Sequence, residues 1–367
     1  MRINRVTLTH VCIPLHEPFR ISNGEIAEKD GIVVAVESDG RTGFGESSPM
    51  AGSFYSAATP ASCWQELTTQ LAPAILGREF ASLDAASAWL NALPGSNFAK
   101  VGIETALWDL EGQRLGLPLH RLLGAVRDTA ESGLAVGLYD TATQLLETIA
   151  QYLPDGYRRV KIKICPGHDL ELVRAVRARF GDIPLMCDAN ASYSLDQLPI
   201  YQELEQFGLR MYEQPLGSGA LEASAIWQRA LQTPICLDES LETCADLERA
   251  AALGSCKIAN IKIQRVGGFR NALKLYHRCR ELGLSVWIGT MPELGIGQAQ
   301  GAAMAALSGC DYPTDVEASL RWFRDDIIEP FLEVRNGQIE LPVSPGLGYA
   351  VNASKLERYQ VARREIA

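Results

Sequence analysis

The chain has 367 residues, 47% of them hydrophobic and 21% charged, a length that suits a barrel with an accessory domain better than one small domain. A net charge of −10 with no basic block or Lys/Arg stripe argues against a nucleic-acid partner, because a polyanion would be repelled. No stretch approaches the roughly 20 continuous apolar residues of a membrane helix, and the start, MRINRVTLTHVCIPL, reads as a strand, so a cytoplasmic protein without a membrane partner is expected.

The N-terminal residues, to about position 50, carry short strands with Val6 and Leu8 alternating against polar neighbours, then GIVVAVES (31–38), the turn DGRTG and GFGES, as in an antiparallel meander. Helical periodicity follows in ASCWQELTTQLAPAIL, LDAASAWLNAL and AKVGIETALWDLEGQRLG, the last stopped by Gly116 and Pro118. An α+β domain over 1–125 is predicted. Beyond it, short apolar runs alternate with amphipathic helices. The runs are SGLAVGL, RRVKIKI, PLMCDAN, LRMYEQP, PICLDES, KIANIKI, LSVWIGT and, most weakly, PTDVEA. Eight such runs predict a closed parallel α/β barrel over 126–319, with an open doubly wound sheet as the alternative. The tail FLEVRNGQIELPVSPGLGYAVN returns to hairpin texture around Asn336-Gly337, so residues 320–367 are expected to fold back onto the N-terminal domain. Nine scattered cysteines without a CxxC pair are expected to be reduced and inert.

Three acids stand at a constant interval of 25 residues, each closing an apolar run: Asp188 in CDAN, Glu213 in YEQP and Asp238 in LDES. Each alone is an ordinary cap or turn residue. On three successive strand ends of one barrel they would converge and leave an uncompensated triple negative charge, which calls for a cation. Hard oxygen ligands without nearby His or Cys point to Mg²⁺, with Mn²⁺ as a substitute. In RVKIKI the period of two sends Lys161 and Lys163 to one side and Val160, Ile162 and Ile164 to the other, so both ammonium groups are expected inside the barrel rather than on a solvated edge. Lys262 in ANIKI comes from the far side of the acid set. Two lysines facing each other across a bound carboxylate form the geometry of a carbon-acid enzyme, with Lys161 and the metal expected to lower the pKa of the basic lysine.

These residues resemble the enolase superfamily, and within it the muconate-lactonizing subgroup: KxK on the second strand, acids ending the third, fourth and fifth, and lysine on the sixth. The resemblance covers nearly the whole chain. It implies a (β/α)7β TIM-like barrel with an α+β capping domain, Mg²⁺ held by Asp188, Glu213 and Asp238, and proton transfer by Lys163 and Lys262 through an enolate. The mandelate-racemase branch uses a histidine after the seventh strand, whereas WIGTMPELG has none. PFRISNGEI (18–26), AGSFYS (51–56), RVGG (265–268), MPELGIG (291–297) and VEASLRWFRDDIIEP are most similar to o-succinylbenzoate synthases and N-succinylamino acid racemases. Dipeptide epimerases carry an Asp-x-Asp pair at the eighth strand, which Asp315-Val316-Glu317 matches imperfectly, and muconate cycloisomerases are a further alternative. Pro292, Ser53 and Leu294 depart from the succinyl-specific pattern. A homo-oligomer is expected by analogy. A catalytically silent metal-binding barrel is the competing class, disfavoured because five charges at a desolvated site would then serve nothing.

Several residues complete the candidate set. Phe19, Arg20, Ser22, Phe54 and Tyr55 fall on loops expected to close over the barrel mouth, or else in the core of the small sheet; Arg20 could answer a distal anion of a small-molecule carboxylate substrate. Asn190 closes CDAN beside Asp188. Glu293 follows the seventh strand and could touch substrate or a lysine. Arg265 is read either as tuning Lys262 or as a surface ion-pair partner, and Glu239 as orienting a lysine. Asp315 and Glu317 are the residues a free substrate ammonium would need. The five histidines lie off the strand ends and are read as surface or packing residues.

Overall fold

The computed structural model describes residues 1–367. Its N-terminal sheet is antiparallel: Arg5–Ile21 pairs with Gly24–Ser38, which pairs with Arg41–Ser47. The first two strands are longer than the sequence suggests. A register shift between Pro14 and Phe19 bends the hairpin, so that pairing resumes at Phe19–Ile26 and continues to the turn at Ser22 and Asn23. Val6, Leu8, Ile32, Val34 and Val36 are fully buried, and the sheet packs on the helix Asn97–Leu115. GFG in the third strand permits that approach: a Cβ on Gly45 would lie 2.0 Å from the Gly102 carbonyl, and one on Gly43 2.3 Å from that of Ala106. The helix begins at Ser96, whose hydroxyl accepts from Ala99 N, and stops at Gly116 with φ 69°, as its sequence requires. The earlier helical run is interrupted. Pro60–Glu66 passes through a wide π turn, Leu67–Leu71, before Ala72–Ile75, because Pro73 has no N–H to continue the ladder.

The barrel strands are Leu134–Val136, Val160–Lys163, Leu185–Asp188, Tyr212–Glu213, Ile235–Leu237, Ile258–Ile261 and Ser285–Ile288, all parallel and adjacent in chain order. The eighth run forms no regular strand. Thr314 and Cys310 instead make single parallel bridges to Ser132 and Val286, closing the ring between the first and seventh strands. Pro313, which has no amide donor, opens that run. Met186, Met211, Cys236, Ile258 and Trp287 form a separate buried cluster. The first three each stand two residues before an acid, hence on the same side of their strand.

The tail differs from the hairpin expected. Asn336 and Gly337 do turn the chain (φ 50° and 71°), but Gln338–Glu340 pairs with Thr129–Glu131, just ahead of the first barrel strand. The segment that joins the N-terminal sheet is Gln360–Ile366, antiparallel to the first strand. Leu347 N also donates to Asp109 Oδ1 on the long helix. All nine cysteines are free. No helix is long and apolar enough to cross a membrane.

Candidate active site

Parallel register places Lys163 opposite Asp188 and Asp188 opposite Glu213, so the three stand at one height along the ends of neighbouring strands. Asp238 follows the fifth strand directly, and Lys262 the sixth. The second and sixth strands lie four positions apart in a ring of eight, which sets Lys163 and Lys262 across the mouth from each other. All these side chains are buried. Lys163 Nζ donates to Asp188 Oδ2 at 2.6 Å and to Asn190 Oδ1 at 2.9 Å. Lys161 Nζ donates to Glu213 Oε2 at 3.2 Å and to Asp315 Oδ2, and lies 3.6 Å from Asp188. Lys262 Nζ is 2.9 Å from Asp238 Oδ2, whose other oxygen accepts from Arg265.

The acids are therefore compensated, contrary to the expectation of a bare triple charge. Each is turned toward a lysine or guanidinium. They still repel one another. Burial and then the Asp188 charge push the Glu213 carboxyl up to about 8, although Lys161 opposes this; that lysine is shared with Asp188 and Asp315. Asp238 goes the other way: burial would raise it, but Arg265 and Lys262 hold it well below the usual carboxylate range. Burial would lower Lys161, yet Asp315, Glu213 and Asp188 hold it raised. Lys262 likewise stays raised against burial, through Asp238 and Tyr55. In the arrangement seen, Lys262 is an ion-pair partner whose carboxylate outweighs the cations around it.

The surrounding residues divide clearly. Asn190, at a left-handed φ of 43°, bridges Lys163 to Glu239 by donating Nδ2–H to Glu239 Oε1 at 3.0 Å, so Glu239 acts on a lysine through an intermediary. Arg265 is no surface residue: it is buried on Asp238, and its Nη2 donates to Asn260 O at 2.7 Å. Tyr55 accepts from Lys262 at 3.0 Å and donates to Asp238 at 3.3 Å, which brings the first domain into the site. Ser22 donates to the Ala189 carbonyl at 3.1 Å. Phe19 is both core and site residue, since it is buried and its ring lies 5.8 Å from Lys163 Nζ. Arg20 is not in the site. It pairs with the exposed Asp140 at 2.7 Å, because strand alternation turns it away from Phe19 and Ile21. Phe54 packs over Gly24 and Gly52 and does not line the mouth. Asp315 is taken by Arg159 and Lys161, and Glu317 accepts from Ala135 N at 2.7 Å through one oxygen while the other lies 3.5 Å from Arg321. Glu293 accepts from Met291 N at 3.0 Å and does not line the cavity.

Comparison with known proteins settles the lineage. Residues 3–124 match the N-terminal domain of the mandelate racemase / muconate lactonizing enzyme family, and residues 144–355 match its enolase C-terminal domain-like region. The chain belongs to this family of the enolase superfamily. An o-succinylbenzoate synthase from Geobacillus stearothermophilus is 41% identical over 98% of this chain and 96% of its own length. An N-succinylamino acid racemase from Amycolatopsis sp. is 38% identical over 99% of both. A dipeptide epimerase from Cytophaga hutchinsonii, solved with Mg and the dipeptide D-Ala-L-Val, superimposes with a TM-score of 0.93 over 100% of both chains at 25% identity. The TIM-like barrel with its capping domain, and membership of a superfamily of divalent-metal enzymes, thus stand as read.

Within that family frame, the cavity shows what sequence reasoning missed. Lys161, Lys163, Asn190, Lys262 and Asp315 meet an apolar wall of Phe19, Ile21, Met50, Met291, Pro292 and Trp322. Asn260, whose Nδ2 donates to Glu213 Oε1 at 2.8 Å, was legible: it stands two residues before Lys262 on one strand, hence on the same side. Gln214 had no such signal. Its Oε1 accepts from Asp238 N and Ser240 N, and its φ of 35° is left-handed, so it fixes the loop that presents Asp238. Trp322 stacks edge-on against Phe19 at 4.8 Å, a pairing between distant segments that no local pattern announces.

Proposed function

We propose that this protein removes the α-proton of an N-acylamino acid and returns it on the opposite face, acting as an N-acylamino acid racemase that also carries o-succinylbenzoate synthase activity. The observation that carries the reading is that Lys163 and Lys262 line one cavity from across the barrel mouth. Asp188, Glu213 and Asp238 fit a hard divalent cation, Mg²⁺ with Mn²⁺ as substitute: they are buried oxygen donors that repel one another, and Glu239 Oε2 beside them has no partner. When bound, the cation supplies fixed positive charge beside the substrate carboxylate, as in enolase-superfamily chemistry generally. The chain's own groups do the rest. Lys163 and Lys262 are held by two of the proposed ligands, so the one that acts as base must leave its carboxylate and be neutral before it takes the α-proton, while the other, still an ammonium, gives a proton to the opposite face. Lys161, kept charged by Asp315 and Glu213, attracts the substrate carboxylate. The apolar wall and Tyr55 exclude water from the carbanion.

Commitment of Asp315, the cavity-lining acid of this pair, to Arg159 and Lys161 favours an acylated amino group over a free one. Arg20, turned to Asp140, does not answer the acyl end. Nine free cysteines suit a reducing cytoplasm. The test compares kcat/KM for N-succinyl-phenylalanine with that for an Ala-containing dipeptide, following α-proton exchange in D₂O. The acylated substrate should be preferred. A clear preference for the dipeptide, abolished by Asp315→Asn, would overturn the assignment.

A further inference from the structure

Lys29 lies in the second strand of the capping sheet, 1% exposed, and belongs to none of the groups gathered around the barrel acids. Its ammonium has no carboxylate within ion-pair distance. Instead it donates to three backbone carbonyls, Ser48 at 3.1 Å, Pro49 at 3.2 Å and Met291 at 3.4 Å. Two of these belong to the segment leaving the third capping strand, and the third to the loop after the seventh barrel strand. The residue after Pro49 is Met50, and Met50 and Met291 both line the active-site cavity. Three N–H groups on one atom are thus shared between the two segments that form its apolar wall.

The surroundings make the tether specific. Glu293 accepts from Met291 N at 3.0 Å, so the carbonyl and the amide of Met291 are both tied down. Glu46 accepts from Ser48 Oγ at 2.7 Å and from Leu294 N and Gly297 N at 2.8 Å. A second pair of bonds thereby joins the end of the third capping strand to the start of the helix that follows Met291–Glu293. Burial lowers the Lys29 pKa, and the nearby Glu46 and Glu293 carboxylates oppose that lowering and favour the ammonium. A neutral side chain of similar length could neither satisfy three carbonyls nor offset those carboxylates.

We infer that Lys29 is a positioning residue that clamps the Ser48–Met50 and Met291–Glu293 segments together and so sets the shape of the substrate's apolar subsite. The inference rests on the proposed reaction for its kinetic consequence but not for its structural one. Loss of the clamp lets Met50 and Met291 shift independently, which alters discrimination between large and small substrates and leaves the lysines in place. The experiment uses the full chain carrying Lys29→Met, or Lys29→Gln, which keeps two donors on a shorter stem, should the first not accumulate as folded protein. Hydrogen–deuterium exchange is expected to rise in both segments together. The ratio of kcat/KM for N-succinyl-phenylalanine to that for N-acetyl-alanine is expected to change about tenfold, the scale of a misfitted apolar pocket. A merely structural role would lower the active fraction and leave that ratio unchanged. A preserved ratio, or raised exchange in one segment only, overturns the clamp. Wild-type protein inert toward both substrates would count against the proposed reaction, and the exchange measurement alone would then decide the clamp.

Discussion

Lys163 and Lys262 approach the cavity from different strands, and each is paired with a different acid, Asp188 and Asp238. Replacing either with Ala should reduce turnover by about 10²–10⁴-fold, the range for a lost acid/base group. Each single variant should still exchange the α-proton of one enantiomer, the one whose C–H faces the remaining lysine. Equal residual exchange of both enantiomers would exclude a two-sided site. Lys161 and Lys163 were readable because KIK obeys the period of two, and the acids because each closes an apolar run. The same period, applied to Phe19-Arg20-Ile21, would have sent Arg20 outward; its charge suggested a role that its position in the strand rules out. Lys29 gave no signal at all. Flanked by Glu28 and Asp30, it looks like part of a solvated face, and only the fold of two distant segments over it makes it buried.

Buried acids of the capping domain serve as caps for barrel helices. The helix Phe269–Glu281 starts at Gly268, which has no side chain to cap it. Glu104, from the helix Asn97–Leu115, accepts from Phe269 N at 2.8 Å and Arg270 N at 3.1 Å, and also from Ser87 and Trp108. Glu46 does the same for Gly295–Ala305 through Leu294 N and Gly297 N. Local rules place a cap immediately before its helix, so partners from another domain escape a reading of the sequence. Glu104→Ala leaves four donors without their acceptor, and should destabilise the protein by about 3–5 kcal/mol. Denaturant titration checks this; a loss below about 1 kcal/mol would mean that water replaces the carboxylate and that the interface does not depend on it.

For the molecule as a whole, the first domain and the barrel are joined at the place where chemistry is proposed. Tyr55 and Ser22 reach the strand ends, and Lys29 and Glu46 hold the loop beside them. If a divalent cation occupies the acid set, it binds the folded state alone, so Mg²⁺ should raise the melting temperature in a concentration-dependent way. EDTA should abolish α-proton exchange, and Mg²⁺ should restore it. Glu213→Gln should weaken both effects strongly, and full exchange in a metal-free preparation would exclude the metal role. The alternation of runs and helices announced this barrel, but not that its eighth position would be closed by single bridges around Pro313.

The strand Gln360–Ile366 is the outer neighbour of Arg5–Ile21, pairing Ile366 with Val6 across nearly the whole length of the chain. The barrel assembles from contacts between successive units, whereas this pairing closes a loop that contains all of them. Loop entropy and contact order both delay such a pairing. During synthesis the first strand therefore waits with one edge open until the barrel has been made, and an open edge is where a strand recruits the wrong partner. Arg363, Arg364 and Glu365 are exposed on the strand that finally covers it, so the molecule exchanges a vulnerable edge for a charged one late in its biogenesis.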